Sequence, residues 1–195
     1  YPEVETPAYF ITGWYDNLLH EGLKCFRGWR KRARSAEARQ RSRLLVGPWT
    51  HTAIGDAAPF GDIDFGSQAG MDIPAEHLRW YDQRLKGLDT GIDEEPPIRI
   101  FVMGANEWRS EREWPLERTE YTRFYLHSSG RANSSFGDGA LTTDAPEVES
   151  FDSYSYDPEN PVPTLGGQSM FADNTGPRDR RPIECRDDVL VYSTA

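Results

Sequence analysis

Cysteine is scarce in this sequence, and long hydrophobic runs are absent. Only Cys25 and Cys185 occur among the 195 residues, too few to indicate a disulfide framework, so nothing demands an oxidising compartment. We interpret Cys25 as a buried free thiol on a helix. No apolar run approaches the roughly 18 residues of a membrane span, and no signal peptide opens the chain. We therefore expect a cytoplasmic protein that does not enter a membrane, and the question of an upstream targeting segment stays open.

Positive charge is also in deficit. The 22 Lys and Arg residues stand against 32 Asp and Glu, for a net charge of -10, which argues against nucleic acid or an anionic membrane as a partner. The basic stretch from Arg30 to Arg43 is interpreted as a solvated helix end, where the helix dipole favours cations. Hydrophobic residues make up 37% and aromatic residues 12%, a balance that favours β-structure with loops over a helical bundle.

The most informative stretch is residues 43–51, Arg-Leu-Leu-Val-Gly-Pro-Trp-Thr-His. The short apolar run from Leu44 to Val46 predicts a buried strand that ends at Pro48, because proline has no backbone N–H to donate. His51 then falls in the loop past the carboxyl end of the strand, where catalytic groups collect in open α/β sheets. His51 is therefore the first candidate catalytic residue.

The same pattern occurs once upstream. Residues Ala8–Thr12 predict a strand that is ended by Gly13, and Asp16 follows it. A helix running to about Arg34 is predicted by three apolar residues at helical spacing, Leu19, Leu23 and Phe26. Strand, aspartate, helix, strand and histidine form one crossover of a parallel sheet, which places Asp16 and His51 on the same rim.

Aspartate followed by histidine matches the last two members of the Ser, Asp, His order of α/β-hydrolase triads, but the first member is missing. A nucleophile elbow needs Gly-x-Ser-x-Gly because the sharp turn leaves no room for larger flanking side chains, and no such pentapeptide occurs. The nearest match, residues 167–171, lacks the second glycine and follows the histidine. The chain also begins at Tyr1 rather than at a methionine, so we expect it to be the C-terminal part of a longer protein.

Two motifs resemble a known family. Gly-Trp-Tyr-Asp at residues 13–16, followed by Gly-Pro-Trp-Thr-His at residues 47–51, resembles the cocaine esterase-like (CocE/NonD) hydrolases, which are related to X-Pro dipeptidyl-peptidases and α-amino acid ester hydrolases. Further stretches in the same order extend the resemblance over the whole chain: residues 98–104, 107–109, 114–115, 156–158, 161–163 and 165–167. The resemblance implies that Asp16 is the triad acid and His51 the triad base. The serine, an oxyanion-hole tyrosine and a helical cap domain would then precede Tyr1.

The resemblance implies a hydrolase that cleaves small-molecule esters, amides or short peptides, and it suggests a homo-oligomer. We expect no cofactor and no metal ion.

Trp14, Tyr15 and Trp49 flank the candidate pair, and they either line the acyl pocket or belong to the core. Asp16 could instead merely cap the following helix.

Two other functions stay open. In one, Asp16 itself is the nucleophile, as in aspartate-nucleophile α/β-hydrolases. In the other, the chain is a non-catalytic β-sandwich binding module with an α/β appendage. The remaining histidines, His20, His77 and His127, are expected to have no catalytic role.

Residues 52–71 are rich in Gly, Ala and Asp and predict a long loop that forms one wall of the substrate pocket. A metal site at Asp56, Asp62 and Asp64 is a weaker alternative, because the spacing matches no calcium loop. A helix is then predicted to begin near Pro74. Its apolar stripe is expected to cover the parallel sheet, and it consists of Leu78, Tyr81, Leu85 and Leu88.

The polar, proline-ended linker Asp89–Pro97 predicts a domain boundary. We assign residues 1–93 to the C-terminal portion of an α/β-hydrolase domain and residues 94–195 to the N-terminal portion of a β-sandwich. Three runs predict its short strands: Ile98–Val102, Tyr121–Leu126 and Val189–Tyr192. The resemblance implies a jelly roll whose last strand, ending near Ala195, would be an exposed edge. The predicted fold class is therefore α/β followed by a β-sandwich.

Overall fold

The computed structural model describes residues 1–148, 150–170 and 174–194. The chain divides into two compact units: unit 1 contains residues 1–118 and 166–178, and unit 2 contains residues 119–165 and 179–195. The last residue of the 167–171 match and the predicted strand end at Ala195 lie outside the described residues.

Unit 1 is built on a four-stranded sheet in the order β1-β2-β3-β4. The strands are β1 (Tyr9–Tyr15), β2 (Arg43–Thr50), β3 (Ile98–Val102) and β4 (Glu107–Glu111). β1, β2 and β3 are parallel, and β4 is antiparallel to β3. Helix α1 (Leu19–Arg32) connects β1 to β2, so the predicted parallel crossover is present. A short helix α2 (Ala36–Arg41), which the sequence analysis missed, lies between α1 and β2.

Both strands that lead to the candidate pair run further than predicted. β1 continues through Gly13 to Tyr15, and β2 continues past Pro48 to Thr50. β3 pairs with β2 only at residues 44–46, so the missing N–H of Pro48 interrupts no ladder on that side. The β1–β2 register also shifts between Gly13 and Tyr15, an irregularity of the kind that accommodates proline within a sheet.

The sheet is covered on both faces. On one face, three sheet residues pack with two aromatic side chains of the loop after His51: Leu45, Trp49 and Phe101 with Phe60 and Phe65. On the other face, Phe26 of α1 packs with four sheet residues: Leu44, Val46, Ile98 and Ile100. Burial on both faces is the usual state of parallel strands, and it explains why β2 shows a continuous apolar run instead of an alternating one.

The helix predicted near Pro74 is present as α3 (Ile73–Leu85), with the side chain of Asp72 accepting a hydrogen bond from the Ala75 N–H. The predicted buried face is wrong, because Leu78, Tyr81, Leu85 and Leu88 are 50 to 77% exposed. Trp80 is buried instead and packs on Tyr9, with 5.4 Å between ring centroids. Two arginines next to Trp80 bind carboxylates of the linker and fix this orientation: Arg79 binds Glu95, and Arg84 binds Asp93.

The first sheet continues across the predicted boundary between residues 93 and 94. Residues 98–102 form the third parallel strand, and Ile98, Ile100 and Phe101 are buried within unit 1. Their apolar side chains complete both faces of the sheet, which is why these residues fold with the preceding strands. By compactness, the first stretch of unit 1 extends to residue 118.

Unit 2 contains an antiparallel pair of short strands, β5 (Tyr125–His127) and β6 (Ala140–Thr142), and one turn of helix, α4 (Arg181–Glu184). Of the predicted strand Tyr121–Leu126, only the end joins this pair. The strand predicted at Val189–Tyr192 is wrong. Leu190 forms one isolated antiparallel bridge with Asn133. Two backbone hydrogen bonds flank it, from the Ser134 N–H to the Val189 carbonyl and from the Val191 N–H to the Ala132 carbonyl, so the segment makes no ladder.

Within the described ranges, no helix is long and apolar enough to cross a bilayer. Cys25 and Cys185 are both free thiols, and Cys25 is half-buried, not fully buried as predicted.

Candidate active site

Asp16 lies directly after β1 and is almost completely buried, with its side chain 3% exposed. Both carboxylate oxygens accept hydrogen bonds. Oδ2 accepts one from the Thr12 hydroxyl at 3.0 Å, and Oδ1 accepts one from the Leu18 N–H at 2.8 Å. The second contact is a local bond to the residue that precedes α1, and the helix itself begins with no side-chain cap, so the capping role left open by the sequence is not observed. These contacts hold the carboxylate in one orientation.

His51 lies directly after β2, and its Nδ1 is 3.0 Å from Asp16 Oδ1. Because an ionised carboxylate only accepts hydrogen bonds, Nδ1 carries the proton, and Nε2 of the neutral ring is left as an acceptor. Among the described residues, Nε2 takes part in no hydrogen bond. The His51 side chain is 32% exposed, so the arrangement combines a buried acid with a base that solvent can reach.

The two residues meet because β1 and β2 are adjacent and parallel, so their carboxyl ends share one rim of the sheet. Gly13 allows the strands to approach closely near this rim. A Cβ atom on Gly13 would lie 2.1 Å from the Trp49 carbonyl oxygen, which no side chain can do without moving the backbone. The glycine that the sequence analysis interpreted as the end of the strand is therefore a site of close strand packing.

The three aromatic residues beside the pair have different environments. Trp14 is partly buried, donates from Nε1 to the Phe101 carbonyl at 2.7 Å, and packs near Trp114. Tyr15 is also partly buried, and burial raises the pKa of its phenol. Trp49 has no exposed surface. Its environment is the core, one of the two environments that the sequence left open for it.

Trp49 also holds the loop after His51, a role that the sequence analysis missed. Its Nε1 lies 3.0 Å from the carbonyl oxygens of both Asp56 and Ala69, so one donor ties together the two ends of this loop. Phe60 and Phe65 anchor the middle of the loop in the core. The two phenylalanines in an otherwise Gly- and Asp-rich stretch were the available signal. The loop predicted to form a pocket wall is therefore firmly packed against the sheet.

We expect Trp49→Phe to release this loop. The substitution keeps an aromatic ring but removes the donor shared by two carbonyl groups, at a cost of about 1–3 kcal/mol. Chymotryptic cleavage after Phe60 or Phe65 should therefore accelerate about 10-fold, since about 1.4 kcal/mol corresponds to a factor of ten when cleavage follows local opening. Trp29→Phe is the matched control, because the Trp29 Nε1 bond to the Thr6 carbonyl is solvent-exposed. An equal cleavage rate in the two variants would contradict this role of Trp49.

The other histidines lie outside this cluster. His20 and His77 are exposed on helices, and the Nε2 of His127 is 2.8 Å from the Asp144 carbonyl oxygen in unit 2. Of the three aspartates considered for a metal site, Asp62 pairs with Arg178, and Asp64 accepts a hydrogen bond from the Gly66 N–H. In the part of the chain that the structure describes, no group of three or more candidate metal ligands comes together.

Unit 1 is thus a mixed α/β unit whose adjacent parallel strands present a hydrogen-bonded carboxylate and imidazole at one rim. A family model described as the X-Pro dipeptidyl-peptidase C-terminal non-catalytic domain matches residues 90–195. Over 193 residues the chain is 43% identical to the cocaine esterase of Rhodococcus sp. strain MB1 Bresler. The chain belongs to the cocaine esterase-like (CocE/NonD) family, related to the X-Pro dipeptidyl-peptidases, as the two sequence motifs predicted.

The chain spans about a third or less of the curated relatives it matches. The match to the Rhodococcus cocaine esterase covers 97% of this chain and 32% of that protein. Two proteins provisionally described as serine esterases, from Mycobacterium bovis and Mycobacterium tuberculosis, are 33% identical over 143 residues, which is 73% of this chain and 19% of each protein. The crystal structure of an aminopeptidase from a marine sediment Thaumarchaeota archaeon has a TM-score of 0.71 at 24% identity, over 100% of this chain and 31% of that one. This last likeness concerns the fold.

Proposed function

We propose that Asp16 and His51 are the acid and the base of a Ser-Asp-His triad in an acyl hydrolase, and that the serine lies outside residues 1–195. One observation carries the proposal: a buried, hydrogen-bonded carboxylate lies 3.0 Å from Nδ1 of a solvent-accessible histidine at the carboxyl ends of adjacent parallel strands. Membership of a family with esterase relatives supports the serine as the third member.

In this mechanism, His51 Nε2 removes the proton from the serine hydroxyl as its oxygen attacks the carbonyl carbon of the substrate. His51 then passes that proton to the leaving alcohol or amine, and an acyl-enzyme remains. A water molecule, deprotonated by the same nitrogen, releases the acid in the second half-reaction. Asp16 keeps the proton on Nδ1 and stabilises the imidazolium that forms twice in each cycle.

We propose that the substrates are small-molecule esters, amides or short peptides. Ester substrates are supported by a relative named as a cocaine esterase. Peptide substrates are supported by the match to an X-Pro dipeptidyl-peptidase family model. The partial exposure of His51 leaves room for a substrate beside Nε2. Trp14 and Tyr15, each partly buried and within two residues of Asp16, are the residues proposed to contact the acyl group.

We also propose that residues 94–195 begin a jelly-roll domain with no catalytic role of its own. The match of residues 90–195 to a non-catalytic domain supports this division, and β3 and β4 would then be the strands that join this domain to the first sheet. The same match is what favours the alternative of a non-catalytic binding module. That alternative gives no reason for the Asp16–His51 hydrogen bond.

Asp16 as the nucleophile is the weaker enzymatic alternative. Oδ1 accepts hydrogen bonds from the Leu18 N–H and from His51, and Oδ2 accepts one from Thr12. These three bonds hold a carboxylate that is only 3% exposed, so a substrate has little access to its oxygens. These contacts support the acid role.

The proposal is tested by treating the full-length gene product with a fluorophosphonate probe and mapping the adduct by mass spectrometry. We expect hydrolysis of a chromogenic acyl ester and one modified serine, which lies in Gly-x-Ser-x-Gly outside residues 1–195. The heat-denatured protein is the control, because labelling requires a folded triad. An adduct on a serine of residues 1–195 would contradict the proposal. A product that neither hydrolyses esters nor takes the probe would favour the binding module.

A further inference from the structure

A segment far along the chain folds against the unit that carries the candidate pair. Residues 166–170 and 174–178, which we name the strap, belong to unit 1 although residues 119–165 belong to unit 2. The two arms of the strap are joined by paired backbone hydrogen bonds of 2.8 and 3.0 Å between Gly167 and Gly176. The Asn174 side chain also accepts a hydrogen bond from the Gly166 N–H at 2.9 Å. The strap is therefore a closed, internally bonded element.

One arm of the strap contacts the strand end that carries the acid. The Gln168 side chain donates from Nε2 to the Trp14 carbonyl oxygen at 3.1 Å, although 154 positions separate the two residues in sequence. Trp14 lies near the end of β1, two residues before Asp16. The carbonyl group that Gln168 binds belongs to the peptide that joins Trp14 to Tyr15, so its orientation affects the backbone leading to the carboxylate.

The other arm contacts the loop that follows the base. The Asp62 N–H donates to the Pro177 carbonyl at 2.7 Å, and Arg178 Nη1 lies 2.9 Å from Asp62 Oδ1. Gly61 makes this contact close: a Cβ atom on it would lie 2.1 Å from the Pro177 oxygen, and its φ of +60° favours glycine. Asp62 lies in the loop that directly follows His51, which is the loop whose two ends Trp49 holds.

We infer that the strap positions the acid and the base relative to each other, with Gln168 and Arg178 as positioning residues that touch no reacting atom. The inference rests on the proposed function. Because the Gln168 contact is exposed and the Arg178–Asp62 pair is partly exposed, each adds little to stability. Displacing a catalytic group by about 1 Å can cost about 10²-fold in rate. Loss of the strap contacts should therefore lower turnover far more than stability.

The test uses two strap variants of the full-length gene product, Gln168→Met and Arg178→Ala. Gln168→Met keeps the side-chain length and removes the donor. For each variant we expect kcat on a chromogenic acyl ester to fall about 10-fold or more, with KM within about 2-fold of the parent value. The low-field NMR resonance of the His51 Nδ1 proton, assigned by its loss in His51→Ala, should broaden or move. This second measurement needs no turnover.

Three controls separate positioning from general destabilisation. Gln40→Met removes an exposed amide on α2, and Arg131→Ala removes an ion pair with Asp138 in unit 2 whose arginine is more exposed than Arg178. Both should leave kcat and the resonance unchanged. The charge swap Arg178→Asp with Asp62→Arg should restore most of the kcat lost in Arg178→Ala.

An unchanged Nδ1 resonance in both strap variants would overturn the inference, and so would a lower melting temperature with unchanged kcat. If the parent protein hydrolyses no ester and takes no fluorophosphonate, the proposed function fails. The resonance still decides whether the strap aligns the pair.

Discussion

His51→Ala should lower kcat/KM of the full-length gene product on an acyl ester by at least about 10³-fold, because in the proposed mechanism the His51 imidazole takes the serine proton. The imidazole acts on the transition state, so the loss should appear in kcat, with KM nearly unchanged. Steady-state hydrolysis of a chromogenic ester measures both constants. The fold should persist, because His51 is one-third exposed and lies at the end of a strand instead of inside the core.

Two substitutions control for the loss of an imidazole as such. His20→Ala and His77→Ala remove exposed helical side chains, and each should change kcat/KM by less than about 2-fold. A His51→Ala protein that retains more than about a tenth of the parent activity would show that a different residue is the base.

Asp16→Asn should lower kcat by about 10⁴-fold while leaving the shape of the site intact. An amide at this position presents an N–H to His51 Nδ1, so the ring changes to the tautomer that carries its proton on Nε2. That tautomer cannot accept the serine proton. In this orientation the amide oxygen takes the place of Oδ2 and keeps the hydrogen bond from the Thr12 hydroxyl, while the Leu18 N–H, which shares Oδ1 with His51, loses its acceptor. The Leu19 N–H still donates to the Asp16 carbonyl, so the start of α1 is preserved. Stopped-flow measurement of acyl-enzyme formation should show the loss in the acylation step.

Asp72→Asn is the matched control, because Asp72 also accepts a backbone hydrogen bond at the start of a helix but is exposed and far along the chain from the pair. It should change kcat by less than about 2-fold. If Asp16→Asn were equally mild, Asp16 would have only a local structural role in the turn before α1.

The sequence alone was sufficient to predict the candidate pair and the crossover that joins it. Each strand is a short apolar run followed by Gly or Gly-Pro, and the carboxyl ends of parallel strands always share a rim, so Asp16 and His51 were expected to be neighbours. The same local patterns misplaced the strand ends. Pro48 stops a ladder only where a neighbouring strand needs its N–H, and β3 pairs only as far as residue 46 of β2.

The features that the sequence did not reveal depend on partners far along the chain. The apolar stripe of α3 predicted a buried face, but Arg79, Arg84 and Trp80 turn the opposite side toward the linker and Tyr9. Likewise, the Gln168–Trp14 contact joins residues 154 positions apart. Periodicity describes one element at a time, so it cannot identify which of two faces finds a distant partner.

The central claim is that His51 Nε2 faces a serine supplied from outside residues 1–195. The most direct test is the crystal structure of the full-length gene product carrying a fluorophosphonate adduct. The proposal predicts that the modified serine Oγ lies about 3 Å from His51 Nε2, with the Asp16–His51 hydrogen bond retained and the serine at a strand-to-helix turn. An adduct whose serine lies beyond hydrogen-bond reach of His51, or within residues 1–195, would contradict it.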